Sequence, residues 1–162
     1  EVDFEAEEAA EEAEDARALA SLETQVWLEL DLLLRTLAKL RAPGNKAGVP
    51  SQLLGLLPPA PEGGWPDKEF DLENLASQLR ERYDGAKAEG EVDAFQRNTH
   101  YVPIDHERFP PRRRAQRLSY AIWGVIGGQG VEYQPLLDES STSDRLRKAL
   151  LRMRDVMRQI SP

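Results

Sequence analysis

The stretch LASLETQVWLELDLLLRTLAKLR, residues 19–41, decides the fold. Leu19, Leu22, Val26, Leu30, Leu33, Leu37 and Leu40 recur at spacings of 3-4-4-3-4-3. That is the period of an α-helix with one continuous apolar face. Trp27, Leu28, Leu32 and Leu34 widen the face well beyond a coiled-coil seam. A helix apolar over so much of its circumference must be covered on several sides. It either forms the centre of its own fold or enters a groove on another subunit. Lys39 and Arg41 suit its last turn, and the following Ala-Pro-Gly ends it.

Outward from this helix the chain reads as further helices joined by long connections. Residues 1–17 are Glu/Ala-rich, with nine acidic side chains and no base before Arg17. Their propensity favours helix, but like charges at i,i+4 oppose it, so a frayed or partly disordered lead-in is expected. On the other side, VPSQLLGLL predicts a short helix with Pro50 early and Ser51 as a candidate cap. Residues 18–57 thus form one unit of long and short helix. Residues 58–66, PPAPEGGWP, are a Pro/Gly linker in which Trp65 is large enough to act as an anchor. Residues 67–162 make a helical region with basic C-terminal helices. In it, Leu72, Leu75, Ala76, Leu79 and Tyr83 share one face of a helix. Asp67 or Asp71 is its candidate cap and Gly85 its candidate stop. A short helix is expected around Phe95. Another starts after Pro110 and Pro111, and a last one carries Leu146, Ala149, Leu150, Met153, Val156, Met157 and Ile160 on one face. Thr142 or Ser143 is the expected cap of that last helix. The fold class is all-α, with four to five amphipathic helices, long Pro/Gly-rich connections and room for one short strand at VEYQPLL.

The composition narrows the chemistry. The 162 residues contain no cysteine, which excludes disulfides, thiol catalysis and thiolate-bound zinc. No apolar run is long enough to span a bilayer, so no membrane partner is expected. A chain that begins at Glu1 is expected to be a piece of a longer, intracellular protein, nuclear or cytoplasmic. The net charge of −8 is unevenly spread. Five arginines and no acid fall within residues 108–117, and six bases against two acids within residues 144–162. Such asymmetry marks an interaction segment or an electrostatic self-contact.

Four motifs bear on chemistry. Gly127, Gly128 and Gln129 spell GGQ, which resembles the tripeptide of peptide release factors and would imply ester cleavage. The resemblance covers three residues and lacks that family's Gly-rich, basic surroundings. The favoured reading is a helix stop near Ile126, with Gly127 at positive φ. His100 and Asp105 are similar to the HX4D motif of glycerolipid acyltransferases, which implies a base and its orienting carboxylate. The partner motifs of that family are missing. With His106 the same residues make a conceivable metal set, but loop histidines are the simpler reading. Arg112, Arg113, Arg114 and Arg117, joined by Arg147 and Arg154, are candidate contacts for phosphate or an acidic partner. Ser141 lies three residues before Asp144 and resembles an acidophilic kinase site.

These features point first to a non-catalytic interaction or scaffold domain, a subunit or fragment of a larger assembly. Its contact residues would be Trp27, Leu30, Leu34, Leu37 and Trp65, meeting a protein partner or a second copy. The alternative is a nucleic-acid-associated factor using the arginines. A small enzyme built on His100 and Asp105 comes last. No cofactor, metal or catalytic residue is assigned.

Overall fold

The computed structural model describes residues 4–40, 49–104, 109–127, 135 and 141–160, the side chains of residues 4, 5 and 8–12 excepted. All regular structure among them is helical. The helices are α1 (Phe4–Leu40), α2 (Ser51–Leu54), α3 (Leu72–Ala88), α4 (Val92–Thr99), α5 (Pro111–Ala121), α6 (Trp123–Ile126) and α7 (Thr142–Ile160). The all-α expectation is met. The expected strand VEYQPLL falls, apart from Pro135, outside the described residues.

α1 is the axis of the fold. Its 37 residues extend about 55 Å at 1.5 Å per residue. Val26, Trp27, Leu30 and Leu33 are buried, the first three completely. α7 covers α1 along one flank, α5 packs against both, and α6 packs against α7. α3 pairs with α2 and α4 on the other side. One core unites these layers, drawing on Leu53–Leu57 positions, Leu72, Leu79, Tyr101, Leu118, Ile122, Leu146 and Met153. It therefore crosses the Pro/Gly segment 58–66. That segment runs beside α1, with Pro58, Pro59 and Pro61 facing Ala20, Thr24 and Leu28 across a shallow cleft. Trp65 stacks on Phe70 with ring centroids 4.3 Å apart, which anchors the segment before α3 begins.

Several boundaries depart from the sequence reading for local physical reasons. α3 runs through Gly85 to Ala88, and the stop is Gly90 at φ +73. The φ of Gly127 is −64, so Gly127 ends α6 without the left-handed conformation expected of it. Gly128 and Gln129 lie outside the described residues. Ser51 is the first helical residue of α2 and makes no capping bond, while Pro50 occupies the cap position. The cap of α7 is Ser141, one residue before the expected Thr142 or Ser143. Its Oγ accepts the Asp144 N–H at 3.2 Å and its carbonyl accepts the Arg145 N–H at 3.1 Å.

Candidate functional site

Two buried carboxylates on α1 organise the molecule. Glu23, Trp27 and Asp31 lie four residues apart and so share one face. Both acids are only 2% exposed. Glu23 receives two hydrogen bonds from Arg114 of α5, at 3.0 and 2.9 Å, in a fork arrangement. Asp31 does something different. Its Oδ1 accepts the backbone N–H groups of Asp71 and Leu72 at 3.1 and 3.2 Å. A side chain of α1 therefore caps α3, while Asp71, the local candidate, makes no side-chain cap bond. The other oxygen of Asp31 accepts Arg35 Nε at 2.8 Å, and Arg35 also reaches Asp67 at 2.7 Å and Glu69 at 2.8 Å. Burial works to lower the pKa of the Arg35 guanidinium, but Asp31 and Asp67 outweigh it and raise it above its ordinary value.

The arginines divide into two groups. Arg114 and Arg145 are buried and structural. Arg145 donates to Ser119 Oγ at 2.9 Å and to Thr142 Oγ1 at 3.2 Å, and its guanidinium lies 4.1 Å from the Tyr120 ring centroid. Arg112, Arg113, Arg117, Arg147 and Arg154 are exposed. Arg117 lies over the Phe109 ring, and Arg147 bonds Asp144 at 2.9 Å. Of the six basic positions singled out from the sequence, Arg114 is thus removed from any ligand surface.

Trp27 and Leu30 are fully buried by this chain, and Leu34, Leu37 and Trp65 are half-buried against the same core. The broad apolar face of α1 is covered from within. Leu32 and Leu40 stay 40% and 61% exposed, and the start of the helix is uncovered as well. Ala6, Glu7 and all of residues 13–18 are exposed, and packing begins at Leu19. Two grooves flank α1 where this acidic segment meets the core. The α5-side groove is lined by Asp15, Leu19, Glu23, Pro110, Pro111 and Arg112. The α7-side groove, of about 520 Å³, is lined by Ala18, Leu22, Leu150, Leu151, Arg147 and Arg154 among others, and contains no acid.

His100 takes φ +55 and ends α4, its N–H bonded to the Gln96 carbonyl at 2.8 Å. Histidine is among the residues that tolerate this left-handed conformation. Its side chain is exposed. Asp105 and His106 lie outside the described residues. Tyr101 next to it is buried, and burial raises its phenol above the ordinary range, with Arg80 pulling the other way. Tyr101 joins Tyr83 and Phe95 in edge-on contacts that hold α3, α4 and the following segment together.

Sequence reasoning missed Glu23, Asp31 and Arg35. The first two left a signal: single acids at i−4 and i+4 from a tryptophan in an otherwise apolar face. No family model matches the chain, and no curated protein or solved structure matches it at significant similarity.

Proposed function

We propose that this chain is a non-catalytic helical interaction domain whose contact surface is the charge-divided region around the start of α1. One observation carries the reading. A helix with one face buried between Glu23 and Leu33 continues outward as an exposed acidic segment. Residues 4–18 of α1 amount to about four turns. They extend an already nucleated helix, but their like charges at i,i+4 and lack of packing leave them weakly held. Contact with a partner would supply what the core does not. Trp27 and Leu30 are fully buried and Leu34, Leu37 and Trp65 half-buried, which favours a contact governed by charge and by the small apolar area at the groove edges.

The test is capture by the intact chain from a lysate treated with nuclease, beside the variant Glu7→Lys/Glu14→Lys/Asp15→Lys. A stoichiometric partner that the variant loses supports the reading. Equal capture by both removes the acidic segment from the contact.

A nucleic-acid reading keeps one favourable observation, the exposure of Arg112, Arg113 and Arg117 on the first turns of α5. It requires an affinity for single- or double-stranded oligonucleotides that falls steeply with salt. Absence of binding at low ionic strength would end it.

A further inference from the structure

The groove between α1 and α7 fits a particular occupant. Its floor is Leu22, Leu150 and Leu151, the last 56% exposed. Its rim carries Arg147 and Arg154. An occupant should therefore be a slender segment with acidic flanks. The chain itself contains such a segment in residues 7–17, where six acids precede the first base. Because α1 is one continuous helix, its own acidic end points away from the groove that its later turns help to form.

We propose that the occupant is the acidic segment of α1 from a second copy of this chain. The proposal rests on the interaction reading above and names its partner. Ala18 lies both at the end of the exposed segment and in the groove lining. A two-fold axis near Ala18 makes the two α1 helices antiparallel. Each acidic segment then lies over the other copy's groove, and the same contact is made twice, as a closed symmetric dimer requires. The lengths agree: residues 7–17 and residues 143–154 of α7 each span about 15–18 Å as helix. Charge selects the α7 side. The α5-side groove sets the exposed Asp15 against Arg112, with Glu23 buried and bonded to Arg114, whereas the α7-side lining carries Arg147 and Arg154 and no acid, Asp144 bonding Arg147 from beside it.

Sedimentation of the intact chain across micromolar to millimolar concentration tests this. The wild type should form a dimer that weakens with salt. Arg147→Glu/Arg154→Glu and, separately, Glu7→Lys/Glu14→Lys/Asp15→Lys should each weaken it by at least about a hundredfold, because like charges then face each other. Leu151→Asp should do the same. All these positions are exposed, so circular dichroism and melting should stay close to wild type. Mixing the two charge-reversed chains one to one should restore a dimer, since each contact regains opposite charges. A wild type that is monomeric throughout overturns the proposal, as does a dimer that survives both reversals. If the wild type is monomeric but the acidic-segment variant loses a captured partner, the pairing of copies is wrong and the interaction reading stands. If no partner is captured either, both fall.

Discussion

Asp31 is the residue on which most depends. It is buried, caps α3 from another helix and anchors the Arg35 cluster. Asp31→Ala would leave two backbone N–H groups and one face of Arg35 unpaired. Urea unfolding should show a loss of about 2–4 kcal/mol. Asp31→Asn keeps an acceptor oxygen for the amides but turns a donor toward Arg35, so its loss should be intermediate. The more exposed pairs of the same cluster, such as Arg35 with Glu69 at 80% exposure, should matter far less. The Asp31–Arg35 pair is four residues apart on α1, but the capping contact is not local in sequence. Asp31 and Leu72 are 41 positions apart, and no spacing rule links an acid in an apolar helix to the amide groups it will meet. Sequence could mark Asp31 as anomalous in its face but not name its partner. The arginine cluster shows the same limit. Arg112, Arg113 and Arg114 are chemically identical neighbours, and only the rotation of α5 turns Arg114 inward to Glu23.

Glycines and caps test the helices themselves. Gly55 sits at ordinary helical φ, yet a Cβ there would lie 2.5 Å from the Val102 carbonyl oxygen. Gly55→Ala should therefore force α2 and the 101–104 segment apart, at about 1–3 kcal/mol. Gly85 lies inside α3 with nothing within 4 Å of an added Cβ. Gly85→Ala should stabilise by about 0.5–1 kcal/mol. Thermal melts of the two variants should move in opposite directions. Ser141→Ala removes the cap of α7 and should cost about 1 kcal/mol by the same measurement. At this scale periodicity served well: the sequence reading located α1, the helix at Leu72–Tyr83, α5, α7 and the short helix around Phe95. Ends were less legible. Gly85 looks like a terminator, but α3 continues through it, and the left-handed residues that follow α3 and α4 are Gly90 and His100. A helix stops where the next contacts require it, and those contacts are tertiary.

For the whole molecule, the broad apolar face of α1 allowed two outcomes, a central helix or a partner-bound one. Burial decides for the centre. Leu30→Asp would place a carboxylate at a site with no solvent access. A loss beyond about 4 kcal/mol is expected, enough to abolish cooperative folding as seen by circular dichroism. Leu151→Asp, on the exposed side of α7, should leave the fold intact. This contrast separates core from surface, as the helical periodicity of the two leucines also does.

The amino-acid sequence by itself determined the helical class, the main helices and the charge asymmetry. These follow from short-range periodicity and composition, which act within a few turns of chain. The tertiary structure alone decided which side chains face inward. It set Trp27 and Leu30 in the core, sent Arg114 to Glu23, gave Asp31 the end of α3 to cap and made His100 a helix stop. Each of these depends on where a second element lies, and its position is fixed by the joint packing of one core rather than by any segment read alone.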